Sequence, residues 1–275
     1  MTQNKPIVLL AHLGATLDEW DPRVVEALAE GRRVIAVDLP GIGSPPGGPG
    51  REAMAAAITG RTRLILVCTP NNPTGPAVTE SQTRAFLAKV PAHIPVVIDE
   101  AYFEFCAAST VPEGEEAPLN GMDIYRDYEN VIILRTFSKA QGLAGLRVGY
   151  SISHQQITQH LRVAATPFAV TALAEAAAIA SIEHEDTVME RVSHLVAERE
   201  RVTARLRELG YDFPSTYANF VWLPLGERTG DFVQLMSEHA LSVRAFGTEG
   251  VRVSIGEVEA NDRFLSLCEV FAKGL

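Results

Sequence analysis

The sequence predicts an α/β fold: a mostly parallel sheet sandwiched by helices, followed by a smaller C-terminal α+β domain. Three observations carry this. Short apolar runs recur without polar alternation, at PIVLLA (6–11), RVIAVD (33–38), RLILVC (63–68), PVVID (95–99) and VIILR (131–135), as expected of strands covered on both faces. Helical segments separate these runs, which favours parallel crossover units. After Tyr150 the texture changes to long helix and then to a compact strand and helix pattern.

Taken in order, residues 6–11 read as a buried strand. Residues 18–30 read as an amphipathic helix with Val24, Val25, Leu28 and Ala29 on one face, and 33–38 as a second strand. Residues 39–50, LPGIGSPPGGPG, form a loop or junction where the chain changes character. From Glu52 a helix leads into the strand at 63–68, then the turn TPNNPTGP. A helix capped near Thr79 follows, with a capping-box-like Thr-Glu-Ser-Gln. Residues 154–209 read as almost unbroken helix, Ala-rich around 171–181, with Glu198, Arg199, Glu200 and Arg201 on a solvated face. The closing unit has strands at 218–223, 241–245 and 251–255 and helices at 230–239 and 261–272. The expected organisation is a β-α-β segment over 1–50, a large domain over 51–183, and a small domain with its connecting helix over 184–275. No internal repeat is evident.

With 275 residues and 47% hydrophobic content the chain can bury a sizeable core. Its 24 Lys and Arg against 34 Asp and Glu give a formal charge of -10 without a basic cluster, which argues against nucleic acid or an anionic membrane as partner. Cys68, Cys106 and Cys268 are odd in number and far apart, and the seven histidines show no ligand grouping. No metal site is expected, and a reducing, cytoplasmic compartment is. The apolar run at 7–10 is too short for a signal sequence, and no run approaches a membrane span.

The chemistry centres on VIILRTFSKAQGLAGLRVGY (131–150), where Lys139 sits between a buried strand and a Gly-rich turn, with Arg147 eight residues on. A lysine usually lies on a solvated face. Here the functional reading is a Schiff-base lysine whose amine is activated by desolvation or a neighbouring positive charge. Asn71-Asn72-Pro73-Thr74-Gly75 follows another strand and reads either as an Asx-capped turn or as a ligand loop. Asp99 closes PVVID and is either a helix N-cap or a carboxylate held at low dielectric to pair with a cation. Residues beyond the carboxyl ends of strands are where ligands sit in such sheets.

Together NNPTG (71–75), VVIDEAY (96–102), RTFSKAQGLAGLRVGY (135–150), PFAV (167–170), ANFVWL (218–223) and VRVSIG (251–256) resemble the fold-type-I aminotransferases (class I/II) that use pyridoxal 5'-phosphate. The histidinol-phosphate aminotransferase branch is the nearest, over about 51–275. The resemblance implies transamination between an L-amino compound, of the histidinol phosphate or aromatic amino acid class, and a 2-oxo acid. It gives Lys139 the covalent hold on the cofactor and the proton shuttle, and Asp99 the partnership with a protonated pyridine nitrogen. It sets Tyr102 and Asn72 on the ring 3-oxygen, and Thr136, Ser138 and Arg147 around the phosphate. Arg252 becomes the fork for the substrate carboxylate and Asn219 a substrate-side contact. Arg244 either reaches a distal phosphate or is a solvated edge charge. A homodimer is implied as well.

The first fifty residues depart from that family, which opens with a substrate-covering arm, a phosphate-binding Gly-Asn-Gly-Ser-like helix start and a ring-stacking aromatic residue. Residues 6–47 instead resemble the N-terminus of an α/β-hydrolase, yet no Gly-x-Ser-x-Gly elbow follows and Ser44 lies in a Pro-Gly loop. A join is therefore expected, with reduced cofactor affinity, and the strands at 7–11 and 34–38 are candidates to fill vacated places in the sheet. The alternatives are a folded but catalytically weak or inactive aminotransferase remnant and, less favoured, an esterase.

Overall fold

A computed structural model describes the strands β1 (Ile7–Leu10) and β2 (Val34–Val37) and residues 51–274. The sequence-expected helix at 18–30, the junction at 39–50 and Ser44 lie outside the described residues. β1 and β2 pair in parallel from Ile7↔Val34 to Leu10↔Val37, and β1 lies alongside β3 (Ile65–Cys68).

The larger sheet runs in the order β3, β4 (Val96–Asp99), β5 (Val131–Thr136), β6 (Gly149–Ser153). The first two pairings are parallel, and β6 returns antiparallel to β5. The parallel strands are β-branched and apolar, as expected of strands buried on both faces, with Val96, Ile98, Val131 and Ile133 fully buried. Ile65, Val96, Ile98, Val131 and Ile133 pack with Phe86 and Leu87 of helix α2 (Glu80–Leu87), which follows the short helix α1 (Arg51–Ala56). The start of α2 is a reciprocal capping box: the Thr79 hydroxyl accepts from the Gln82 N–H, and the Gln82 side chain accepts from the Thr79 N–H. A five-residue helix, α3 (Phe103–Ala107), follows β4.

The expected unbroken helix is three helices: α4 (Gln155–Ala164), α5 (Ala172–Glu183) and α6 (Glu185–Glu208). Ala165 is extended two residues before Pro167, which supplies no N–H and disfavours helix just ahead of it. The Thr171 hydroxyl restarts the helix by accepting from the Ala174 N–H. α6 serves two cores. Val188, Val192 and Val196 pack with Tyr102, Ala218 and Phe220, whereas Val202 and Leu206 enter the C-terminal core.

That second core lies between an antiparallel sheet, in the order β7 (Phe220–Leu223), β9 (Gly250–Ser254), β8 (Arg244–Phe246), and helices α7 (Thr229–Glu238) and α8 (Val258–Lys273). Its sequence-expected elements are present with shifted ends, the largest shifts being three residues, at β8, which starts at Arg244 rather than 241, and at α8, which starts at Val258 rather than 261. Arg199 corrects the solvated-face reading. It is 4% exposed, donating to the Ala218 carbonyl at 3.0 Å and to Ser109 Oγ at 2.9 Å. Of the four charges Arg199 is the one that is fully buried, because it falls on the same stripe as Val192, Val196 and Val202.

Candidate active site

Three strand ends of the larger sheet converge on one cavity of about 600 Å³. Its wall includes Asn72, Asp99, Tyr102, Thr136, Ser138, Lys139 and Arg147, the seven residues that the resemblance assigned to a cofactor.

The turn after β3 is closed by its own polar groups. The Gly75 N–H donates to the Asn71 carbonyl at 2.7 Å, and Asn71 Nδ2 donates to Thr74 Oγ1 at 2.6 Å. Gly75 has φ +96°, and a Cβ there would stand 2.5 Å from the Thr216 side chain, so glycine is required twice over. The Tyr217 N–H donates to the Gly75 carbonyl at 2.9 Å, docking the turn against the segment that leads into β7. Asn72 thereby faces Arg252 of β9, whose Nη1 donates to Asn72 Oδ1 at 2.5 Å.

At the end of β4, Asp99 accepts from the Ala101 N–H at 3.0 Å. Burial pushes its carboxyl up, while that N–H and the charge of Lys139 pull it back down. Tyr102 is buried edge-to-face on Phe220, with ring centroids 5.2 Å apart. Burial lifts its phenol to about 12, so it remains a hydrogen-bond donor at neutral pH.

Beyond β5 the Ser138 N–H donates to Thr136 Oγ1 at 3.0 Å, and Lys139 Nζ lies 5.1 Å from the Tyr102 ring centroid. Desolvation and the nearby Arg252 and Arg147 hold the lysine amine below the ordinary lysine range, with Asp99 opposing them. Arg147 is left-handed, φ 54°. Its Nη1 donates to the Ala144 carbonyl at 2.8 Å and to Ser138 Oγ at 3.4 Å. The chain returns so closely at Gly149 that a Cβ would stand 2.8 Å from the Arg135 carbonyl oxygen.

The three substrate-side candidates stand apart from this wall. Arg252 joins it through Asn72, and Arg244 is the direct ladder partner of Arg252, so two guanidiniums share one sheet face. Asn219 is half-buried before β7, its carbonyl accepting from the Ile255 N–H at 2.9 Å, and it does not line the cavity. Sequence reasoning missed Arg135, which lines the cavity and is paired with the buried Glu100 at 2.9 Å. The available signal was two opposite charges at the tips of two adjacent apolar runs, VVID-Glu100 and VIIL-Arg135. Among the described residues there is no metal-ligand grouping and no helix long and apolar enough to cross a membrane.

A parallel sheet with one antiparallel edge and a lysine, an aspartate and an arginine on one cavity wall defines a class rather than a single enzyme. The family model for aminotransferase class I and II matches residues 49–266, and the chain belongs to that family. It is 53% identical over 224 residues to an aromatic amino acid aminotransferase of Streptomyces avermitilis, covering 82% of this chain and 60% of that protein. With one of Thermobifida fusca it shares 50% identity over 222 residues, 81% of this chain and 60% of the relative. The chain thus spans about 60% of the length of these curated relatives.

Solved structures share the fold at lower identity. The histidinol-phosphate aminotransferase of Sinorhizobium meliloti, in complex with pyridoxal-5'-phosphate, superposes with a TM-score of 0.77 at 24% identity, covering 98% of this chain and 72% of that one. For the histidinol-phosphate aminotransferase of Clostridium acetobutylicum the TM-score is 0.78 at 20% identity, with 98% and 79% covered.

Proposed function

We propose that this chain is a pyridoxal-phosphate-dependent transaminase that moves an amino group from an L-amino compound to a 2-oxo acid. The single observation behind this reading is the cavity wall that unites Lys139, Asp99, Tyr102, Asn72, Thr136, Ser138 and Arg147. The residues fit that cofactor. A cavity of about 600 Å³ holds a lysine amine shifted toward its neutral form, a carboxylate, a phenol donor and a guanidinium flanked by two hydroxyls.

When bound, the cofactor supplies an electron sink for the pair left on the substrate Cα after proton removal. Lys139 would be the residue to hold it covalently, and its amine, when free, would be the base placed to move a proton at the substrate Cα. The Asp99 carboxylate would pair with a protonated ring nitrogen, and the Tyr102 phenol and Asn72 side chain would orient the ring oxygen. Thr136, Ser138 and Arg147 bind the phosphate. Arg252 takes the substrate carboxylate, whereas Asn219, its carbonyl bonded to the Ile255 N–H, is off the cavity wall and is left without a substrate contact. Arg244 adds a second positive charge suited to a distal anion such as the phosphate of histidinol phosphate.

Relatives at about half identity favour an aromatic amino acid as donor. Comparing kcat/KM for phenylalanine, tyrosine and histidinol phosphate decides this. A homodimer is part of the reading and is supported by the apolar surface around α5, where Phe168 is 98% exposed and Leu173 69%. Light scattering measures it. A cytoplasmic location is supported by three buried free thiols. The second reading is a folded but catalytically weak aminotransferase. It is favoured by the short set of phosphate ligands, two hydroxyls and one arginine, on the described cavity wall.

The test is direct. Purified chain mixed with pyridoxal phosphate should develop the absorbance band of the lysine-bound cofactor, and Lys139→Ala should abolish it. A band without turnover selects the weak enzyme, and no band at saturating cofactor refutes the transaminase reading and leaves the inactive remnant.

A further inference from the structure

The buried pair Glu100 and Arg135 is not used by any role assigned above. Glu100 is 1% exposed, and both of its oxygens are engaged. Oε2 accepts from Arg135 Nε at 3.0 Å and Nη2 at 2.9 Å, and Oε1 accepts from the Gly121 N–H at 2.6 Å. Arg135 Nη2 also donates to Asn120 Oδ1 at 2.8 Å, and its guanidinium lies 3.5 Å from the Phe103 ring centroid. The loop at 120–121 sits so close that a Cβ on Gly121 would stand 2.5 Å from Ile133 Cδ1 and 3.0 Å from Glu100 Oε1.

Buried ion pairs are poor stabilisers, and apolar replacements of similar volume are often as stable or more so. The location of this one is therefore informative. Glu100 follows Asp99 and Arg135 precedes Thr136, so a single peptide bond separates each partner from a cavity residue. The β4–β5 ladder ends at Asp99↔Leu134, closed by the Glu100 N–H donating to the Leu134 carbonyl at 2.9 Å. Past that point the backbone ladder no longer sets the spacing of the two strand tips, and the side-chain pair does. Arg135, with Tyr150, also lines both the site cavity and a neighbouring one of about 540 Å³ whose wall includes Phe103, Phe137 and Met189.

We propose that the Glu100–Arg135 pair is a positioning device: it clamps the tips of β4 and β5 so that the Asp99 carboxylate and the 136–139 segment carrying Lys139 face each other at a fixed separation. The inference rests on the cofactor-binding reading above. Glu100 lies behind the cavity wall and Arg135 forms part of it, and the role proposed for the pair is exerted through Asp99 and Lys139. Misplacing a site group by about 1 Å can cost about a hundredfold in rate, which sets the scale of effect.

The full chain is compared with Arg135→Lys, which keeps the charge but lacks the fork, and with the double variant Glu100→Gln/Arg135→Met, which leaves no unpaired buried charge. Four quantities are read: melting temperature, pyridoxal phosphate dissociation constant, the pH midpoint of the lysine-bound absorbance band, and kcat against KM. Positioning requires both variants to bind cofactor about tenfold or more weakly, to shift the band midpoint, and to lose kcat more than KM. The double variant should do so at near-native melting temperature. Native cofactor affinity and band midpoint in the double variant, or losses that follow melting temperature alone, overturn the proposal. If the unaltered chain forms no band, the cofactor reading itself fails and takes this one with it. A native band with native-like variants removes only the positioning role.

Discussion

Arg252 Nη1 and Asn72 Oδ1, 180 residues apart in sequence, meet at 2.5 Å and join the C-terminal sheet to the turn after β3. The resemblance gave these residues separate partners, a substrate carboxylate and a ring oxygen. Here they hold each other, so the substrate fork is set in direction before substrate arrives. Preorganised donors lose less entropy on binding, and a bidentate guanidinium is not replaced by an ammonium.

Arg252→Lys should therefore lower kcat/KM for an amino acid donor by about ten- to a hundredfold, the equivalent of losing one hydrogen bond to a charged group. The loss should be far smaller for an amine that lacks the α-carboxylate. Steady-state kinetics on the two donors checks this, and an equal loss on both would place Arg252 in scaffold maintenance instead.

The charges around Lys139 predict how its reactivity depends on pH. Its amine is held below the ordinary lysine range first by desolvation and then by Arg252, while Asp99 raises it. The neutral amine is the reactive form, so half-maximal reactivity falls at a lower pH than for a free lysine. Removing the positive charge in Arg252→Met moves that midpoint up, and removing the negative charge in Asp99→Asn moves it down. Mass spectrometry of reductive alkylation at Lys139 across a pH series measures both signs. The part of both displacements that passes through the solvent-open side of the cavity should shrink in high salt.

Gly75→Ala should destabilise the chain by about 1–3 kcal/mol through overpacking and a disfavoured positive φ. The conflict is with Thr216, so Gly75→Ala/Thr216→Ala should recover the steric part and leave the backbone part. Urea unfolding of the single and double variants separates the two contributions.

The legibility of this molecule in its sequence follows local physics. Strands β3, β4 and β5 were readable because burial on both faces makes them continuous apolar runs, and their tips pointed to Asp99 and Lys139. β6 was not, since GYSIS is an antiparallel strand with an exposed first half and carries no such run. The α4–α5 break was hidden because alanine-rich sequence on both sides of Pro167 reads as helix. Asn219 drew attention by its motif, but only coordinates separate its carbonyl, bonded to Ile255, from the cavity wall. Pairings such as Glu100 with Arg135 bring together residues 35 apart, beyond what periodicity can express.

Arg199 offers the last test, because its burial was the least expected feature of α6. Its guanidinium has a carboxylate only at 3.9 Å, the half-solvated Glu200, and its firm partners are the Ala218 carbonyl and Ser109 Oγ. Burial accordingly pulls its affinity for protons down. Arg199 thus ties the end of α3 to the strand that carries Phe220, the ring on which Tyr102 rests. Arg199→Ala removes two hydrogen bonds, leaves the Ala218 carbonyl buried without its donor, and opens a void. A loss of about 2–4 kcal/mol is expected. Arg199→Met fills the void and relieves the cost of the buried charge, so it should lose about half of that or less. If chemical denaturation shows the two variants equally destabilised, the hydrogen bonds rather than the packing hold this junction. If neither is destabilised, the bridge between α3 and β7 contributes nothing to the fold.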